Sequence, residues 1–222
     1  MIHRLSSGRL FSGRGSSHGR PPRHRRTAAI VVSALAVTLA LTGCSNDALA
    51  AQYAAGSNKN YIAGSGVTEV KAADRGNPIN FTGTTQSGAE VAASDYRGQV
   101  LVVNFWYAQC GPCRIEAKDL QTISQKYAGK GAVFLGVNTR DSAHDVISFD
   151  KAFSVTYPSV LDAASGSVQL AFSGSMRPNA TPTTLVLDKQ GRVAARIEGP
   201  INDQPSTLDT LISDAIAEGP AS

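Results

Sequence analysis

Eight consecutive residues, Val100 to Tyr107 (VLVVNFWY), are apolar, aromatic or β-branched with the single exception of Asn104. A strand with one wet face alternates; a run like this one reads as a strand buried on both faces. After Ala108 and Gln109 comes Cys110-Gly111-Pro112-Cys113, and from Gly111 a helical pattern runs to Tyr127, where Gly129 and Gly131 end it. A buried strand that turns directly into a helix is half of an α/β unit.

The flanking segments extend that unit. Ile79-Asn80-Phe81-Thr82 and Glu90-Val91-Ala92 flank a turn at Gln86-Ser87-Gly88, which predicts an N-terminal hairpin. Ala132 to Asn138 (AVFLGVN) is a second buried strand. A helical insertion follows, over Ser142 to Phe153 with Ser142 as N-cap and over Ser167 to Phe172. Thr183 to Asp188 and Arg192 to Glu198 flank Lys189-Gln190-Gly191 as an antiparallel pair, and Asn202 to Ala217 closes the chain as an amphipathic helix. The order describes an α/β fold with a central mixed sheet flanked by helices.

A formal charge of +4 and a pI near 9.1 would ordinarily direct attention to nucleic acid. Its distribution removes that reading. Residues 1–44 hold seven arginines and no acid, whereas the rest of the chain holds fourteen basic against seventeen acidic residues. The basic excess precedes an uncharged apolar run from Ala28 to Leu41, shorter than the roughly 20 residues a transmembrane helix needs, which is the layout of an export signal. The run ends in Leu41-Thr42-Gly43-Cys44, which resembles the bacterial lipobox, whose cysteine is acylated. Three segments follow: a lipoprotein signal peptide over 1–43, a lipidated tether rich in Ala, Gly, Ser and Asn over 44–72, and one folded domain over 73–222. The expected location is the outer side of the cell membrane, lipid-anchored through Cys44.

The chemistry concentrates at the strand-to-helix junction. Cys110 and Cys113 are spaced to close a small disulfide, and the N-terminus of a helix stabilises a thiolate through its free N–H groups and dipole. Cys110, toward the exposed end, is the expected nucleophile, and Cys113, one turn in, the resolving thiol. Pro112 suits the first helical turn, where a missing N–H has no helical partner. Zinc would require more Cys or His ligands than the domain's single His144 supplies, and a c-type haem site would need His where Arg114 stands. No metal or bound cofactor is expected beyond the cysteine pair. Cys113, Glu116, Leu120, Ile123 and Tyr127 share one helical face, and Glu116 is its only charge. A carboxylate on that face should have a raised pKa and is placed to exchange protons with Cys113.

These residues resemble the thioredoxin superfamily, and within it the TlpA/ResA-like membrane-tethered branch. The resemblance is carried by Ser94-Asp95-Tyr96-Arg97-Gly98-Gln99-Val100, Val103-Asn104-Phe105-Trp106, the CGPC, Glu116, Phe149, Tyr157-Pro158 and Thr181-Pro182-Thr183-Thr184, over roughly 73 to 218. It implies a thioredoxin fold with a cis Thr181-Pro182 bond opposite the cysteines, where the backbone of residue 181 pairs with substrate. Trp106, Gly111, Pro112, Thr181 and Pro182 are the implied substrate-contacting set. Glu116 is implied to handle protons, consistent with Asn104 standing where cytoplasmic thioredoxins carry Asp. Ala117, where the branch often has Pro, and Tyr107-Ala108-Gln109 ahead of Cys110 depart from its pattern.

The implied function is extracytoplasmic thiol-disulfide exchange, reducing the disulfide of an apocytochrome c CxxCH motif during cytochrome c maturation. Its partners would be disulfide-bearing proteins and a membrane thiol donor of the CcdA or DsbD type. A disulfide oxidant or isomerase for secreted proteins would use the same residues. A lipid-anchored binding module with an inert disulfide, and a thiol peroxidase, complete the alternatives.

Overall fold

The computed structural model describes residues 66–174 and 176–219. The expected signal peptide, Cys44 and all but the end of the expected tether lie outside the described residues.

The central six-stranded sheet has the order β1 (Val67–Glu69), β8 (Val193–Glu198), β7 (Thr183–Leu187), β4 (Val100–Trp106), β5 (Ala132–Asn138), β6 (Ser159–Leu161). Its middle strand is β4 (Val100–Trp106), every residue of which is buried. It pairs in parallel with β5 (Ala132–Asn138) and antiparallel with β7 (Thr183–Leu187), so the sheet is mixed, as expected. β8 (Val193–Glu198) continues beyond β7. The alternation of β4 assigns its side chains to two faces. Val100 and Val102 pack under α1 (Gly111–Tyr127) and α4 (Pro205–Ala217), with Leu120, Ile123, Leu208 and Ile212. Leu101, Val103 and Phe105 pack on the other face with Phe81, Val168 and Phe172, under the hairpin and the short helix α3 (Ser167–Ala171). Asn104 and Trp106 therefore lie on the α1 side. α1 runs without interruption through Ala117.

Helix α2 (Ala143–Phe153) begins at the expected N-cap Ser142, whose hydroxyl accepts from the Asp145 N–H while Asp145 accepts from the Ser142 N–H, a reciprocal cap. The hairpin of β2 (Thr82–Thr84) and β3 (Glu90–Ala92) is a separate two-stranded sheet. Its turn docks on the main sheet, where Thr85 bridges Val160 and the Gln86 side chain accepts from the Ser159 N–H. A Cβ on Gly83 would collide with Val160, so the hairpin can lie this close only with glycine there.

Two strands carry no signal of their own in the sequence. β6 (Ser159–Leu161) pairs in parallel with β5 inside the expected helical insertion, and β1 (Val67–Glu69) pairs with β8 inside the stretch expected to be tether. The folded sheet thus begins before residue 73. Both are three-residue edge strands, too short to show a period, and each forms only because a partner strand offers an open edge.

Candidate active site

The turn out of β4 sets Cys110 at the N-cap of α1, where its sulfur accepts from the Cys113 N–H at 3.2 Å. Cys110 and Cys113 form a disulfide. The segment ahead of them is fastened from three sides. The Ala108 N–H donates to Asp141, Arg114 donates to the Ala108 carbonyl, and the Arg140 guanidinium lies 4.1 Å over the Tyr107 ring.

Gly111 and Pro112 are exposed, but Cys110 is only 2% exposed and Cys113 3%. The expectation that Cys110 lies toward an exposed end is therefore not met while the disulfide is closed: Val146 and Phe149 of α2 pack in one cluster with both cysteines, and the segment at Thr181 approaches Cys110. The Thr181-Pro182 bond is cis and stands opposite the cysteines, with the Thr181 carbonyl oxygen 3.9 Å from Cys110 Sγ. A disulfide sulfur carries no proton to donate, so this approach becomes a hydrogen bond only when Cys110 is a thiol. Thr181 is half-buried and Pro182 buried, which leaves Thr181 as the accessible member of that pair.

Trp106 is not at this surface. It is buried, donates its indole N–H to Ser159 Oγ at 3.2 Å and packs 4.3 Å from Phe149. Contrary to expectation, it offers no surface for substrate: residue 106 packs on the α1 side of the sheet in one cluster with both cysteines, because the pleat puts it on the same face as Asn104.

Glu116 is wholly buried. Its Oε1 accepts from Asn104 Nδ2 at 3.0 Å and its Oε2 from the Ile201 N–H at 2.9 Å. Loss of water pushes its carboxyl from the usual 4.5 up to about 7, against the opposing pull of those two donors. The same Asn104 nitrogen donates to Thr184 Oγ1 at 3.1 Å. Asn104, Trp106, Cys113, Tyr157 and Ser159 line a cavity of about 10 Å³, the size of one water. Asn104 could be singled out in sequence as the polar residue of an apolar strand. Thr184 and the Ile201 amide carry no such signal, since their roles come from pairings across 80 and 85 residues. A larger cleft of about 480 Å³, between residues 69–79 and the segment after α3, includes none of the site residues.

Residues 63–212 match the Redoxin family model. The chain belongs to the Redoxin family. Among the relatives of this chain is the thiol-disulfide oxidoreductase ResA of Geobacillus kaustophilus (strain HTA426), 32% identical over 120 residues, which cover 54% of this chain and 66% of that one. The match thus spans slightly under two thirds of that relative's length. Among solved structures, a secreted thiol-disulfide isomerase from Corynebacterium glutamicum superposes with a TM-score of 0.61 at 28% identity, covering 73% of this chain and 98% of that one. A thiol:disulfide interchange protein of the thioredoxin family from Chlorobium tepidum TLS superposes with a TM-score of 0.58 at 26% identity, covering 64% and 97%. The fold of this Redoxin chain is the thioredoxin fold.

Proposed function

We propose that this chain is a thiol-disulfide oxidoreductase of the ResA type that reduces protein disulfides outside the cytoplasmic membrane. The observation that carries the reading is a cysteine pair capping a helix N-terminus, with a buried carboxyl of raised pKa one turn further on. The Cys110 thiolate attacks one sulfur of a substrate disulfide, forming a mixed disulfide and releasing the other sulfur as a thiolate that takes a proton from water. Cys113 loses its proton to Glu116 and attacks Cys110 Sγ. The second substrate sulfur is expelled as a thiolate and takes up a proton, restored from Glu116 through solvent, so the substrate leaves as a dithiol and the Cys110–Cys113 disulfide remains. Two electrons have passed to substrate, and a membrane thiol donor of the CcdA or DsbD type returns them.

Within this reading the substrate is the CxxCH disulfide of apocytochrome c, and the chain is held at the membrane by acylation of Cys44 after removal of residues 1–43. Palmitate labelling that survives Cys44→Ser would rule out that anchor. Cys113→Ala should leave substrate covalently held on Cys110, and envelope extracts that yield no trapped protein would overturn the enzyme reading in favour of an inert disulfide.

A second direction of flow, oxidation or isomerisation, draws support from the likeness to the secreted isomerase of Corynebacterium glutamicum. The redox midpoint decides between them. A value near about −270 mV, as in thioredoxin, supports reduction, and one near about −120 mV, as in DsbA, supports oxidation.

A further inference from the structure

The two oxygens of Glu116 face donors of different kinds. Oε2 meets the Ile201 N–H, which can only donate; Oε1 meets the Asn104 carboxamide, whose other N–H goes to Thr184. A protonated Glu116 carries a hydroxyl, itself a donor. Turned to Ile201 it would oppose a fixed N–H, and turned to Asn104 as observed it would oppose an amide N–H; either leaves buried donors without acceptors.

Asn104 can relieve that conflict. A carboxamide keeps nearly the same shape after a half-turn about its last bond, which exchanges Nδ2 and Oδ1. With Oδ1 in the present Nδ2 position, Asn104 accepts from the protonated Oε1. It also accepts from the Thr184 hydroxyl, which donates as readily as it accepts. Glu116 and Thr184 then each keep a hydrogen-bond partner in both states. The half-turn also carries Nδ2 to the opposite tip of the amide, and Asn104 shares the one-water cavity with Cys113.

We infer that Asn104 and Thr184 form a two-position amide switch that follows the proton on Glu116, presenting Nδ2 to the carboxylate and Oδ1 to the carboxylic acid. The inference rests on Glu116 being the proton acceptor for Cys113. In the step itself the Cys113 S–H bond breaks, an O–H bond forms at Oε1, and no electrons change hands. The turned amide then offers an N–H on the cavity side, where the new thiolate lies. Asn104 is a positioning residue in this scheme, acting through Glu116 and Cys113.

The titratable groups bearing on Glu116 are Cys113 and Asp119 of its own helix and Tyr157 from the segment before β6. β4 and β7 contribute the uncharged Asn104 and Thr184, and the loop before α4 the Ile201 amide.

The test is NMR of the reduced, labelled full chain between about pH 5 and about pH 9, a window that brackets the Glu116 transition. The Glu116 carboxyl carbon and the Asn104 carboxamide should titrate with one midpoint. On the alkaline side the carboxamide protons should show contacts to Thr184, replaced on the acid side by contacts to Cys113. If Glu116 titrates while the Asn104 contacts stay fixed, the switch is wrong and the proton role of Glu116 survives. If Glu116 does not titrate in this window, both fall.

Discussion

Replacing Glu116 with Gln measures what the buried carboxyl does to the fold. Its value rises from 4.5 to about 7 on folding because burial removes its water, and the Asn104 and Ile201 donors oppose that rise without cancelling it. One unit corresponds to about 1.4 kcal/mol, so the folded state holds this proton more tightly than the unfolded chain by about 3 kcal/mol. A carboxyl raised by folding supports the fold while both states are protonated. Above the unfolded value the unfolded chain has released the proton and the native state still holds it, so stability falls as pH rises and levels off past the folded value. The Glu116→Gln amide does not titrate and its variant lacks that fall. Its unfolding free energy, minus that of the wild type, should therefore increase by about 3 kcal/mol between about pH 4 and about pH 8. Urea denaturation of the oxidised proteins at several pH values provides the difference, in which all shared titrations cancel. A difference that is flat with pH, or that declines, would refute the reasoning, because it would mean that the two donors outweigh burial and keep Glu116 ionised.

Asp150 offers a weaker case of the same sign: burial raises it to about 6, Gln86 donates to one oxygen, and the other has no partner among the described residues. Asp150→Asn should stabilise the fold above about pH 6 and not below about pH 4, and denaturation showing the reverse order would contradict this. Gly83→Ala drives a methyl into Val160, with an expected cost of about 1–3 kcal/mol in urea denaturation; a neutral effect would mean that the hairpin moves freely on the sheet. Trp106 is the chain's only tryptophan and packs in one cluster with both cysteines. Its fluorescence should change on reduction with the midpoint found by thiol counting, and an unchanged spectrum would show that opening the disulfide leaves this cluster undisturbed.

What the sequence determined by itself was whatever depends on neighbours within a turn or a strand. The Val100 run, the α1 stripe from Cys113 to Tyr127, the Ser142 cap and the cysteine pair at a helix start all express local geometry, in which period, cap and spacing act over a few residues. The inward placement of Glu116 belongs here too, because it shares a helical face with Leu120 and Ile123. Tertiary structure decided what depends on distant partners. The edge strands β1 and β6 exist because β8 and β5 leave open hydrogen-bonding edges. Trp106 became a core residue and Cys110 lost its exposure because packing from α2 and the cis-proline segment covers them. The setting of Glu116 required β4, β7 and the loop before α4 to converge, joining residues 80 and 85 positions apart. A sequence can show that a carboxylate will be buried, but the donors that meet it are chosen by the fold, because hydrogen bonds across a sheet are set by register and not by proximity in the chain.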